Sequence, residues 1–231
     1  MIYDSKELET IYGQRFAGRR EYRNRVWQVL IGSFFQKFVR PEDSVLDLGC
    51  GYGEFINNIR CQAKYGMDLN PTSGRMLASG VHFFQQDCSA QWPLGESSLD
   101  VVFTSNFFEH LPDKRTLAAT LTQVHRCLKP GGKLIAMGPN IKFVPGAHWD
   151  FWDHHLPLTE LSLSEGMRNL GFTIERCYPR FLPYTMVNSP EYPPIFVRMY
   201  LALPIAWRLL GGQFLVVGVA AKGEADALSG R

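Results

Sequence analysis

No two of the five cysteines stand close enough to form a C-x-x-C clip; they fall at 50, 61, 88, 127 and 177, and their number is odd. That argues against a zinc module or a disulfide framework and predicts reduced thiols in a cytoplasmic protein. Also missing is any run of about 18 apolar residues, so no membrane-spanning helix is expected. The nearest approach, Ile195 to Leu210, is interrupted by Arg198, Pro204 and Arg208, which leaves open a peripheral membrane contact of 195–210. Residues Met1 to Glu7 have neither the basic nor the apolar region of a secretory signal. Charge of one sign is scarce as well. Twenty-four basic against 22 acidic residues leave +2, far short of a dedicated nucleic-acid binder. Hydrophobic residues are plentiful, 45% of 231, with 16 Phe, 9 Tyr and 5 Trp. A chain of that kind builds a large core and is not disordered.

Short apolar runs at 44–48, 63–68, 81–85, 99–105 and 133–138 alternate with helical patterns at 52–60, 71–79 and 113–128. In the last of these, Leu117, Leu121, Val124 and Leu128 recur on one helical face. Lys129-Pro130-Gly131-Gly132 is expected to stop the helix and turn the chain. A helix over 159–170 with Thr159 as N-cap follows, then strands at 172–177 and 213–220. The alternation predicts an α/β fold with a mostly parallel seven-stranded sheet and helices on both faces. Residues 179–211 hold six prolines and an apolar stretch. They read as a helical insertion between strands six and seven, packed on the domain and covering the substrate pocket. A single domain is expected, with an N-terminal helical cap at 1–40, a core at 41–178, the insertion, a last strand at 212–221 and a tail at 222–231.

The most informative stretch is Val45-Leu46-Asp47-Leu48-Gly49-Cys50-Gly51-Tyr52-Gly53-Glu54-Phe55. A strand enters a glycine turn whose backbone can come close to a ligand. The dinucleotide fingerprint G-x-G-x-x-G requires a third glycine at 54, where Glu54 stands. Asp47 lies two residues before the first glycine. An acid there disfavours a pyrophosphate and suits a cation. S-adenosyl-L-methionine carries a sulfonium and an ammonium, and no phosphate. The next strand ends at Asp68, placed to accept hydrogen bonds from ribose hydroxyls. The third is followed by Asp87-Cys88, placed to meet an adenine edge.

With these residues the chain resembles the class I S-adenosylmethionine-dependent methyltransferases, in particular the small-molecule group that includes ubiquinone and menaquinone methyltransferases. The likeness covers about 40–178 and also rests on Tyr65-Gly66-Met67-Asp68, Leu99-Asp100-Val101-Val102, Phe108-Glu109-His110-Leu111 and Leu128-Lys129-Pro130-Gly131-Gly132. It implies a Rossmann-like sheet with its last strand antiparallel. It also implies that Asp47, Gly49 and Gly51, with Cys50 between them, hold the methionine part of the cofactor. Asp68 would take the ribose and Leu69 would pack on adenine. Asp87 and Cys88 would face the adenine amino group, and Asn106 would lie below the methionine chain.

Acceptor chemistry is expected after strand five, in His148-Trp149-Asp150-Phe151-Trp152-Asp153-His154-His155. An imidazole oriented by a carboxylate is a competent base for a hydroxyl. His154, oriented by Asp150 or Asp153 between walls of Trp149 and Trp152, is the expected base; a packed aromatic lid is the competing reading. His110, beside Glu109, is a second candidate. A metal site is the third reading, since His and Asp are adequate ligands, but no recognised metal-ligand spacing appears and no metal is expected. Arg15, Arg19, Arg20, Arg23 and Arg25, with Tyr12 and Tyr22, read by default as a solvated helix face, from which one arginine or tyrosine could reach the cofactor carboxylate. The expected function is O-methylation of a hydroxylated small molecule, such as a sugar or natural-product intermediate. RNA or protein methylation and a non-catalytic binding module are the alternatives. No nucleic-acid partner is expected, since the net charge is low and no RNA-binding module is present, and DNA methylation is disfavoured because Ser105-Asn106-Phe107-Phe108 stands in place of the motif of DNA amino methylation. A homodimer remains open.

Overall fold

Neighbouring residues of the central strands are buried against opposite sides, and that alternation sets the layers. The computed structural model describes residues 19–184 and 190–222. Seven strands, β1 (Ser44–Leu48), β2 (Ala63–Asp68), β3 (Val81–Gln85), β4 (Leu99–Ser105), β5 (Leu128–Pro139), β6 (Phe172–Tyr178) and β7 (Gln213–Ala220), form one sheet in the order β3-β2-β1-β4-β5-β7-β6. The first five pair in parallel, and β7 runs antiparallel between β5 and β6. The expected Rossmann-like architecture is present.

The helices are α1 (Arg20–Ser33), α2 (Pro71–Met76), α3 (Lys114–Cys127), α4 (Glu160–Asn169), α5 (Pro194–Ala202) and α6 (Pro204–Leu210). Leu134, Ala136 and Val216 join one apolar cluster with Leu117, Leu121 and Val124 of α3 and Met167 of α4. Ile135, Met137 and Val217 join the other with Leu30 and Ile31 of α1, Leu201 of α5 and Trp207 of α6. A side-chain period of two gives each strand two buried faces. Asp113 caps α3 by accepting from the Thr116 amide at 2.8 Å, and Thr159 caps α4 in a capping box with Ser162.

Three expectations need correction. The stretch 52–60 is a set of hydrogen-bonded turns rather than a helix. Gly51 and Gly53 hold φ of +50° and +77°, and the Ile56 amide donates to Asp47 Oδ2 at 3.3 Å instead of to a helical carbonyl. The stretch Lys129 to Gly132 does not precede β5 but lies inside it. There the pairing with β4 jumps from Leu99–Leu128 to Val101–Lys133, a bulge that absorbs the extra residues. Finally, packing accounts for only one side of the insertion. Leu201 and Trp207 are buried, while Ile195, Phe196, Met199, Leu203, Ile205, Leu209 and Leu210 are exposed. No helix among the described residues is long and apolar enough to cross a membrane.

The carboxyl ends of β1, β2, β4 and β5 lie at one edge, where ligands bind in open α/β sheets. The insertion returns to that edge, because the Asn140 amide donates to the Gly212 carbonyl at 2.9 Å and the Gly212 amide to Leu182 at 2.8 Å.

Candidate active site

β1 turns at once through Gly49, whose φ is +70°. A β-carbon there would stand 2.3 Å from the Phe107 ring, so the turn has room for glycine alone. The amides of Gly49 and Cys50 donate to the Met67 carbonyl at 2.8 and 3.1 Å. The Gly51 amide donates to Asp68 Oδ2 at 2.8 Å, and the Asn70 amide to Asp68 Oδ1 at 2.9 Å. With a further backbone bond from Leu69, the Asp68 carboxylate still keeps acceptor capacity for a diol. Asp47 and Asp68 are only 4% and 8% exposed. Burial raises the pKa of both, and the charges of Glu54 and Asp68 add to the rise at Asp47. Such a pocket of acids gains from a bound cation.

Arg23 Nε meets Glu54 Oε1 at 2.9 Å, which fastens α1 over the loop. Arg20 and Arg23 both act on Tyr52; Arg15 and Tyr12 lie outside the described residues. Asn106 is exposed at φ +49°, its amide donating to the Met137 carbonyl at 2.9 Å. Positive φ in a residue other than glycine, at the ligand edge, is a feature of binding loops.

Beyond Asn106, a short turn (Phe108–His110) carries Glu109 and His110. The Glu109 carbonyl accepts from the amides of His155 and Leu156 at 2.8 and 3.0 Å. Those bonds bring the loop after β5 down onto the end of β4. His110 Nδ1 then lies 3.2 Å from Asp153 Oδ2 and 3.0 Å from the Asp153 carbonyl. The His154 ring centroid is 4.8 Å from that of His110 and 5.0 Å from that of His148. Burial pushes the Glu109 carboxyl up to about 7. At His110 burial opposes the cation, but the Asp153 hydrogen bond and the Glu109 charge outweigh it and raise the pKa. The His110 charge in turn reaches Asp68, so the cluster borders the glycine cradle.

The family described as a methyltransferase domain matches residues 19–176. The chain belongs to this family. Its members use S-adenosyl-L-methionine, and the cationic cofactor fits the acidic cradle. A probable S-adenosylmethionine-dependent methyltransferase of Mycolicibacterium smegmatis is 29% identical over 137 residues, 57% of this chain and 52% of the relative. A probable chloroplastic tocopherol O-methyltransferase of Oryza sativa is 28% identical over 145 residues, 58% of this chain and 38% of the relative. The matches thus span about half or less of these curated relatives. Among solved structures, a chain of the complex between the Haloferax volcanii Trm112 methyltransferase activator and a methyltransferase superposes with TM-score 0.69 at 18% identity, covering 96% of this chain and 99% of that one. At that identity the likeness is one of fold.

In this methyltransferase domain the cradle brings Asp47, Gly49, Cys50, Gly51, Asp68, half-buried Leu69 and Asn106 to one edge. Asp87 and Cys88 stand just after β3. Asp87 Oδ1 accepts from the amide and hydroxyl of Ser89 at 2.8 and 2.7 Å, so it caps its own turn. The Cys88 thiol points into the core, 3.3 Å from Thr120 Oγ1, and the Cys88 carbonyl is taken by Trp92 Nε1 at 2.8 Å. Burial pushes that thiol up to about 12.

On the acceptor side, the structure sets Asp153 against His110, whereas His154 was expected to receive it. Asp150 is exposed, and Trp149 and Trp152 are 58% and 85% exposed, so neither indole is a packed wall. Glu109 and His148 were not foreseen as site residues. Their signal was chemical rather than periodic: an acid directly after a central strand, and a histidine in an aromatic loop.

Proposed function

We propose that the chain transfers the methyl group of S-adenosyl-L-methionine to a hydroxyl of a small molecule, such as a sugar or a natural-product intermediate. The observation that carries this reading is the His110–Asp153 pair, 3.2 Å between Nδ1 and Oδ2, beside the cradle. Asp47, the backbone of Gly49 to Gly51 and Asn106 orient the methionine part. Asp68 takes the ribose, Leu69 packs on adenine, and the loop around Asp87 and Cys88 closes the adenine side. In the transfer the acceptor oxygen forms a bond to the methyl carbon as the sulfur–carbon bond breaks, its electron pair going to sulfur. A neutral hydroxyl must lose its proton on the way, and the paired imidazole and carboxylate assist that loss. A macromolecular acceptor is less well supported, because Arg23 is engaged by Glu54 and the net charge is only +2.

Assistance with a proton contributes about 10²–10⁴-fold, so His110→Ala should lower kcat by that order while S-adenosylhomocysteine still binds. Label transfer from methyl-labelled cofactor to a panel of hydroxylated and amine acceptors measures it. Methylation of amines alone, or an undiminished rate in His110→Ala, would contradict the reading.

A further inference from the structure

Three donor side chains from two distant segments meet at the acceptor side. Glu109 and His110 come from the turn after β4, and His154 comes from the loop after β5. One ligand atom of each lies within 4.8 Å of the other two. Two further observations single this corner out. Asp153 Oδ2 and the Asp153 carbonyl both face His110 Nδ1, at 3.2 and 3.0 Å. A proton held on Nδ1 in this way leaves the Nε2 lone pair for a metal, the carboxylate–histidine arrangement that supports many metal ligands. His148 is the second observation. It is 0% exposed, its ring stands 5.0 Å from His154, and among the described residues neither ring nitrogen has a hydrogen-bond partner. Buried polar groups are nearly always satisfied, so an imidazole without a partner beside three donors points to a ligand.

We propose that Glu109, His110 and His154 hold a divalent transition-metal ion, with His148 as hydrogen-bond partner for an oxygen on its open position. Two imidazoles and one carboxylate suit Zn²⁺, Fe²⁺ or Mn²⁺ and leave positions open, whereas Mg²⁺ and Ca²⁺ prefer oxygen donors throughout. Donors around a zinc at about 2.1 Å stand roughly 3.4 Å apart, so the side chains must close by up to about 1.4 Å, which side-chain rotation supplies. The catalytic role of the ion rests on the hydroxyl reading above; the binding site does not. With the acceptor hydroxyl on the open position, coordination lowers its pKa and the proton passes to water. The resulting oxygen anion forms the carbon–oxygen bond as the sulfonium carbon–sulfur bond breaks towards sulfur. His110 then assists as a ligand rather than by taking the proton itself.

Full-length protein stripped with a chelator and dialysed is titrated with Co²⁺, followed by visible absorption, and then challenged with Zn²⁺. One equivalent of Co²⁺ should bind and Zn²⁺ should displace it. His154→Ala and Glu109→Gln should abolish binding. Asp153→Asn, a milder change, should weaken it by about 10–100-fold. His82→Ala, exposed on β3, should match the unmodified chain. Melting curves establish that each variant is folded. Absence of Co²⁺ binding by the folded wild type, or unchanged binding in His154→Ala and Glu109→Gln, overturns the site. Methyl transfer in the same preparations separates the two claims. Turnover that survives stripping but not His110→Ala keeps the hydroxyl reading and overturns the catalytic ion. Co²⁺ binding that is lost in His154→Ala and Glu109→Gln while their turnover persists keeps the site and overturns the catalytic ion, whereas methylation of amines alone removes the hydroxyl reading and leaves the site.

Discussion

At Gly49 the chain has φ of +70° and the Phe107 ring occupies the space of a β-carbon. A residue with a side chain pays about 1–2 kcal/mol for the left-handed conformation, before the ring is displaced. Gly49→Ala should therefore lower the melting temperature and weaken S-adenosylhomocysteine binding together, as read by thermal melts with and without ligand. A variant with unchanged melting and affinity would mean that the turn has room the structure does not show. Residues of this kind were legible in the sequence, because positive φ and a buried acid are needs of the immediate backbone. Asp47 and Asp68 were legible for the same reason. The pairing of Asp153 with His110 was not: it joins residues 43 apart, and only the bonds from His155 and Leu156 to the Glu109 carbonyl bring them together. The direction of the Cys88 side chain was not legible either: its thiol enters the core beside Thr120.

Elements with strong periodicity or a cap were read closely. Helix α3 follows from Leu117, Leu121 and Val124 on one face, and α4 starts at its Thr159 cap. The expected helix at 52–60 failed because the glycine turn and the Asp47 carboxylate claim the local backbone. Strand β5 is longer than expected because a bulge lets a Pro-Gly-Gly stretch remain inside the ladder. The cap of α4 offers a test at this scale. Thr159 Oγ1 accepts from the Ser162 amide at 3.1 Å, and Ser162 Oγ accepts from the Thr159 amide at 3.0 Å. Losing such a cap costs about 0.5–2 kcal/mol, so Thr159→Ala should lower the urea midpoint by a corresponding amount and Thr159→Ser should recover most of it. Equal midpoints for all three proteins would show that the cap does not hold the helix.

Across the whole molecule, the sheet is sewn at the end opposite the cradle by Asp100, which accepts from Lys129 Nζ and the Ser44 amide, each at 2.8 Å. Burial pulls the Asp100 carboxyl upward, but Lys129 and Ser44 outweigh it and hold its pKa below the ordinary value. A folded pKa below the unfolded one gives stability that is fully present above the unfolded value, about 3.9, and lost as pH falls through the folded value. The stability difference between wild type and Asp100→Asn should therefore be constant at neutral pH and shrink in acid. A difference that grows on acidification would contradict the assignment. The seven-stranded, mostly parallel sheet with helices on both faces was legible at this scale, because alternating strands and helices admit few topologies. The exposed apolar side of the insertion was not, since composition alone does not say which side of a helix meets the core.

Calorimetric titration of S-adenosylhomocysteine into the full chain and into Asp68→Ala tests the central claim, that the acidic glycine cradle binds the methyl-donor cofactor. Two charge-assisted hydrogen bonds to ribose, each worth roughly 1.5–3 kcal/mol, should be lost, so the folded variant should bind at least about a hundredfold more weakly. Unchanged affinity in folded Asp68→Ala, or a wild type that binds NADH and ignores S-adenosylhomocysteine, would contradict the account.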